Sequence, residues 1–385
     1  MALPKSTETK KVNLDFNKEF INTFTRNIER GNVEFVNQTL KDLHEADVAN
    51  LIENLTSDTR TKLIEIESFN IDPEIFIELN ESIQSEVLQL LSIESLIKII
   101  KRLESDNAIK ILENLSKEIK EKVFEKLPPK DKFLLQEGLS YPEDSAARIM
   151  QREFTAVPSN WTVGQTIDYL REDKDLPEEF LEIFIVDNEF KPIGTVPSSR
   201  VLRTSRDLKM SSIMREMPVL ISVNMDKEEV GLTFENYNLV SAGVVNKENK
   251  LVGMITADDV VTVVQEEAEE DALRLAGVGD EEITDSVMLK TKRRFNWLLL
   301  NLFTALLATW VISFFGASIE QMVALAFLMP IVASMGGNAG MQTLAVTIRA
   351  IATKELSKNN FNRVVGKEFL IGILNGIIFA IITAI

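Results

Sequence analysis

The chain has 385 residues, one histidine, no cysteine and a formal net charge of −17 at pH 7. The missing cysteine excludes a disulfide framework, a thiolate metal site and a cysteine nucleophile. The acidity excludes nucleic acid as a partner, because phosphate would be repelled. Charge is also unevenly spread. Residues 291–385 carry eight basic and three acidic side chains, a net of +5, which leaves −22 on residues 1–290. An acidic body joined to a basic, apolar tail points to cations as partners. The start, MALPKSTETKK, has no apolar stretch of the kind a cleaved signal peptide needs.

Residues 15–135 read as helical, with few glycines and apolar residues at spacings of three and four. A unit recurs in this segment: Leu43-x3-Asp47-x3-Leu51-Ile52-Glu53-Asn54-Leu55 matches Leu103-x3-Asn107-x3-Ile111-Leu112-Glu113-Asn114-Leu115. Leu91-x3-Ser95-x3-Ile99-Ile100 repeats part of it. Short similar helices stack to bury a core that none could bury alone, so a small α-superhelix is expected. The single His44 reads as a helix-start residue, and Lys126-Leu127-Pro128-Pro129 marks a break.

From about Tyr141 strands and helices alternate, and two modules are expected over 138–200 and 201–262. The strand Leu181–Asp187, a turn at Asp187-Asn188 and Pro192–Val196 recur as Ala242–Asn246 and Leu251–Thr256, with Gly194 and Gly253 59 positions apart. Upstream, Ile149-Met150 and Ile213-Met214 repeat at 64. This pattern resembles a tandem pair of cystathionine-β-synthase-type (CBS) modules. The second copy ends in Thr256-Ala257-Asp258-Asp259, whereas the first has Pro197-Ser198-Ser199-Arg200 in place of the expected aspartate. The resemblance implies a regulatory role and leaves ATP at the CBS pair as an open expectation. Residues 258–290 then form an acidic connecting segment in which Glu267, Glu270 and Asp271 share one helix face. A solvated face is the plain alternative for such a run.

Three apolar stretches follow, at about 295–315, 322–350 and 369–385. The first has 21 positions without a charge, enough to cross the hydrocarbon core of a bilayer. Lys290, Lys292, Arg293 and Arg294 precede it, and Arg349, Lys354, Lys358, Arg363 and Lys367 lie between the second and third. The link GASIEQ carries neither Lys nor Arg. By the positive-inside rule the amino-terminal body is cytosolic, and a multi-pass protein of the cell membrane is expected. The fold class is then a mainly α membrane protein: an α-superhelical domain, an α+β CBS pair, a connecting helix and a transmembrane helical bundle.

The order of parts resembles the MgtE-type magnesium transporters and channels. Tyr141–Met150, the run Glu266–Asp271 and above all PIVASMGGNAGMQTLAVTIRAIA at 330–352 carry the resemblance. It implies a homodimer in the lipid bilayer that imports Mg²⁺ through a pore and closes when cytosolic Mg²⁺ is high. By motif position it implies sensor ligands at Glu74, Asp106, Glu228, Asp259, Glu267, Glu270 and Asp271. It also implies pore positions at Gly336, Gly337, Asn338 and Gln342, with close helix packing as the alternative role of the glycines. Lys110, Asn238 and Thr262 stand where the family can have acids, which should weaken or reduce the sensor sites. Counterparts of the family's last two spans, and of a pore aspartate on the fifth, are expected to be missing.

Three other classes are weighed. An enzyme is set aside: no Ser/His/Asp set, GxxxxGK[ST] loop or H-E-x-x-H pattern is present. A CBS-regulated anion channel is opposed by the acidic body. A membrane-anchored cation or nucleotide sensor that does not itself transport stays open.

Overall fold

The computed structural model describes residues 16–66, 72–174, 176–177, 180–217, 219–275, 277, 287–352, 356 and 360–384. Two of the orienting charges, Lys354 and Lys358, and residues 276 and 278–286 of the expected connecting segment 258–290 lie outside the described residues. The chain divides into two units, 1–264 and 265–385.

Short capped helices build the first part: α1 (Lys18–Glu29), α2 (Val33–Lys41), α3 (Glu45–Glu53), α4 (Ser57–Glu65), α5 (Glu74–Glu78), α6 (Glu81–Leu90), α7 (Ile93–Ile100), α8 (Ser105–Glu113), α9 (Lys117–Lys126) and α10 (Pro129–Ser140). Asn17, Asn32, Thr56, Asn80 and Ser92 each accept a hydrogen bond from a backbone N–H of the first turn, a contact worth about 1 kcal/mol per helix. His44 caps α3 in the same way, its Nδ1 accepting from the Ala46 N–H at 3.3 Å. The repeat read in the sequence corresponds to α3 and α8, whose Leu51, Ile52, Leu55 and Ile111, Leu112, Leu115 are all buried in one core. Pro129 opens α10 at a position whose N–H would have no helical partner, which accounts for the break at Pro128-Pro129.

The next segment holds two sheets. β1 (Ala156–Pro158), α11 (Val163–Glu172), β2 (Glu182–Val186), β3 (Pro192–Pro197), α12 (Ser198–Leu202) and α13 (Met210–Ile213) are followed by β4 (Ile221–Ser222), α14 (Lys227–Tyr237), β5 (Ser241–Val245), β6 (Leu251–Thr256) and α15 (Ala257–Leu275). Strand orders are β1-β2-β3 and β4-β5-β6, in each case a parallel pair followed by an antiparallel hairpin. The two hairpins turn identically: Asp187 Oδ1 accepts from Glu189 N and Lys191 N, and Asn246 Oδ1 accepts from Glu248 N and Lys250 N.

The Ile-Met repeats pair crosswise. Gln151, after Met150, exchanges two 2.8 Å backbone hydrogen bonds with Met254 of β6, and Arg215, after Met214, pairs in the same way with Thr195 of β3. Met150, Ala146 and Ala147 accordingly pack in the core of the second sheet, and Met210 and Ile213 in that of the first. Arg148 ties this link to the superhelix, donating to Tyr141 O and Leu139 O and pairing with Glu113.

This crossing explains the repeated glycines. A Cβ on Gly253 would lie 2.8 Å from both Gln151 O and Met150 Sδ, and one on Gly194 would lie 2.6 Å from Arg215 O. Gly253→Ala is therefore expected to cost about 1–3 kcal/mol and to lower the melting temperature of the soluble part by several degrees. An unchanged melting temperature would show that the backbone gives way there.

The second unit holds the remainder of α15 and α16 (Val287–Ser313), α17 (Gly316–Gln321), α18 (Ala324–Ala352) and α19 (Phe361–Ala384). Helices stand at all three expected apolar stretches, with boundaries displaced and the GASIEQ link itself helical. Among the described residues two helices, Val287–Ser313 and Phe361–Ile382, are long and apolar enough to cross a membrane by length and composition. α18 runs over 29 residues and carries Pro330 within the helix. A side-chain hydrogen bond joins α18 to α19, from Thr343 Oγ1 to Glu368 Oε2 at 3.1 Å.

Candidate functional site

Acidic side chains from the superhelix and the second sheet region converge within the first unit. Glu104 is the N-cap of α8 and Asp106 lies in its first turn; Asp259 lies in the first turn of α15. Helix N-termini favour negative charge, so each carboxylate is individually well placed. Together they crowd. Asp106 is 7% exposed, and its Oδ1 is buried without a hydrogen-bond partner. Its carboxyl also lies within hydrogen-bonding reach of Asp259. The buried amide of Gln151 links the two elements: Nε2 donates to Glu104 Oε2 at 2.9 Å and to Asp259 Oδ2 at 3.0 Å. Asp259 Oδ2 also accepts from Thr256 Oγ1 at 2.6 Å, so the Thr-x-x-Asp pattern closes on itself at the start of α15. Beside them Glu153 Oε2 accepts from Ser105 N, Ser105 Oγ and Arg152 N.

The electrostatics follow from this crowding. Burial and then the charge of Asp259 push the Asp106 carboxyl well above the usual range, against backbone hydrogen bonds that pull it down. Burial raises Asp259 as well. Glu104 is pushed up to about 7, by burial first and then by Asp259, Glu153 and Glu74. Glu74 is raised by burial and by Asp72, Glu78 and Glu45. The ionised cluster is therefore short of positive charge. Among the described residues no group of three or more acids or histidines stands ready to hold a metal ion directly. A small hard cation that keeps most of its water needs only one or two carboxylates, and Asp106 Oδ1 is a buried acceptor without a hydrogen-bond partner that could serve as one such ligand.

Of the sequence-predicted sensor residues the structure brings together Asp106, Asp259 and, at longer range, Glu74. Glu228 stands exposed in the first turn of α14, its backbone N–H donating to Asp226 Oδ1. Glu267, Glu270 and Asp271 share one face of α15 as expected, half-buried, in the second unit. Glu270 is already paired with Arg274 one turn on. Reading the sequence misses three contributors: Glu104, Glu153 and Gln151. Asn238, where an acid could stand, closes α14 with φ 49°, a left-handed conformation asparagine tolerates.

In the second unit Gly336, Asn338 and Gln342 line one cavity of about 730 Å³ between α18 and α19, together with Asn375 of α19; Gly337 is not part of its lining. Among the described residues a Cβ on Gly336, Gly337 or Gly340 would meet nothing within 4 Å.

Comparison with known proteins agrees with this order of parts. Family models match residues 43–144 (MgtE intracellular N domain), 210–266 (CBS domain) and 329–385 (divalent cation transporter). The magnesium transporter MgtE of Bacillus subtilis is 32% identical over 248 residues, covering 64% of this chain and 55% of the relative. That of Thermus thermophilus is 29% identical over 254 residues, covering 65% and 56%. The chain thus spans a little over half the length of these relatives. Its fold is that of the crystal structure of the soluble part of a magnesium transporter (TM-score 0.56, 21% identity, covering 65% of this chain and 99% of that one). The cytosolic domain of the Mg²⁺ channel MgtE in complex with ATP is similar to the same degree (TM-score 0.57, 23% identity, covering 63% and 99%). An N domain, a CBS domain and a transporter domain thus match one after another along the chain, the parts that the similar magnesium transporters MgtE share with it.

Proposed function

We propose that this protein admits Mg²⁺ across a membrane and that the cluster of Asp106, Asp259 and Glu104 senses cytosolic Mg²⁺ and favours closure. The observation that carries the sensing is Asp106, a buried carboxylate with an unpartnered oxygen set against a second carboxylate from another part of the first unit. Without a cation, ionised carboxylates there repel and the superhelix and the second CBS module are pushed apart. Mg²⁺ between them removes the repulsion and favours the assembled arrangement, a two-state element biased by its ligand. Glu74, Glu228, Glu267, Glu270 and Asp271 would add further weak sites, and two identical chains would enclose the pore. Asn338 and Gln342 would meet the ion on its path. The intact chain reconstituted in liposomes should carry Mg²⁺ inward, with flux falling as Mg²⁺ rises on the side of the soluble part. Vesicles that stay impermeable to Mg²⁺ at every concentration would leave a sensor without transport, and flux indifferent to Mg²⁺ on that side would remove the gating.

A further inference from the structure

The link after Met150 carries three consecutive polar side chains, and two of them belong to the acid cluster. Gln151 Nε2 donates to Glu104 and Asp259, and Glu153 Oε2 accepts from Ser105. Arg152 stands between them. Its backbone N–H lies 2.8 Å from Ser105 Oγ and 3.1 Å from Glu153 Oε2, which anchors the residue at the start of α8 beside Glu104 and Asp106. Its guanidinium leaves the cluster and reaches α10, where Nη1 donates to Glu137 Oε2 at 2.6 Å. Gly138 makes room for this, because a Cβ there would collide with Ile109 of α8 and lie 3.8 Å from Arg152 Nη2.

This placement is poorly satisfied. The Arg152 side chain is 8% exposed, and its Nε and Nη2 are buried without a hydrogen-bond partner. Among the described residues its ion-pair partner is Glu137, a carboxylate 41% exposed at the rim. A buried guanidinium with two unused donors is thus held by one rim acid. Around its own backbone stand carboxylates that lack positive charge, including the unpartnered oxygen of Asp106. Removing one partner of a buried ion pair leaves a charge that must find another. Two-pronged pairing with a carboxylate is the strong option open to arginine.

We infer that Arg152 is a tethered internal cation, and that Glu137 is the positioning residue that holds it out of the acid cluster. Released from Glu137, the guanidinium turns about its side-chain bonds onto Glu153, Glu104 and Asp106 and supplies the positive charge that a divalent cation would otherwise bring. The pair Glu137–Arg152 thereby sets how much Mg²⁺ the cluster needs. The inference rests on the sensing reading for the identity of the bound cation, and goes beyond it by assigning a competitor built into the chain.

Glu137→Gln and the double variant Glu137→Gln/Arg152→Gln are prepared in the intact chain, purified in detergent, and compared with the parent by hydrogen–deuterium exchange at 104–107 and 151–153. In EDTA, Glu137→Gln should exchange at those segments about tenfold more slowly than the parent, because the guanidinium now clamps the cluster. Its Mg²⁺ midpoint for protection should rise by about the same factor, and the double variant should return both values to within about threefold of the parent. Exchange of Glu137→Gln in EDTA as fast as the parent, or faster, would overturn the inference, because the guanidinium would then have stayed in place without a partner. A double variant displaced as far as the single one would overturn it too, since Glu137 would then act by itself and not through Arg152. A parent whose exchange ignores Mg²⁺ would sink the sensing reading, and the order of the three chains in EDTA would still decide where Arg152 goes. A parent that responds to Mg²⁺, with the variants out of that order, would sink this inference and leave sensing in place.

Discussion

Asp106→Asn should make the soluble part more stable in the absence of magnesium and nearly indifferent to its addition. The reason lies in the environment of that side chain. A carboxylate that is 7% exposed, with one oxygen unpartnered and Asp259 within hydrogen-bonding reach, is held at the cost of desolvation and repulsion together. An amide of the same shape carries no charge and can donate to Asp259, so about 1–3 kcal/mol should be recovered. The same change removes an anionic oxygen ligand, so apparent Mg²⁺ affinity should fall at least tenfold, which corresponds to about 1.4 kcal/mol. Urea unfolding of the soluble part with and without Mg²⁺ checks both effects. A variant less stable than the parent, with its Mg²⁺ response intact, would mean that Asp106 is a structural acid and that the sensor lies elsewhere.

The second large effect is on pH. A carboxyl raised in the folded state binds its proton more tightly there than in the unfolded chain. The folded state therefore holds more protons than the unfolded one between the ordinary carboxyl range and the raised value. Stability must fall as pH rises through that window. For Glu104 the window runs from 4.5 to about 7, and Asp106 and Asp259 move in the same direction. Screening at the exposed rim of Glu104 reduces its share to about 1 kcal/mol. Without Mg²⁺ the soluble part should then melt several degrees higher at pH 5.5 than at pH 7.5. Mg²⁺ and protons compete for the same oxygens, so Mg²⁺ affinity should rise with pH by up to tenfold per unit for each coupled proton. Melting temperatures across a grid of pH and Mg²⁺ test the pair of effects. A stability that climbs from pH 5.5 to 7.5 in the absence of Mg²⁺ would mean these acids are paired by cationic side chains, not crowded together.

Much of this architecture can be read from the sequence because it rests on local rules. The helix starts at Asn32, His44 and Thr56 are side-chain caps, and the repeat around Leu51 and Ile111 is a burial pattern. The two hairpins announce themselves through Asp187 and Asn246, each followed by the same turn. The acids at the heart of the site are only half legible. Asp106 and Asp259 follow from motif position. Glu104 escapes that route although it stands two residues before Asp106 at the same helix start. Gln151 and Glu153 cannot be placed by reading two consecutive repeats. The segment after Met150 leaves its own copy and pairs with β6 of the other, an exchange set by the tertiary fold and by the space above Gly253.

Hydrogen–deuterium exchange on the intact chain across a Mg²⁺ titration, with Na⁺ and Ca²⁺ as controls, probes the proposed sensor at its own backbone. Amides at 104–107, 151–153 and 256–260 should become protected together, saturating with Mg²⁺ and not with Na⁺, while the α1–α2 end of the superhelix is unchanged. Exchange at those three segments that is the same with and without Mg²⁺ would rule out a cation held between Asp106 and Asp259.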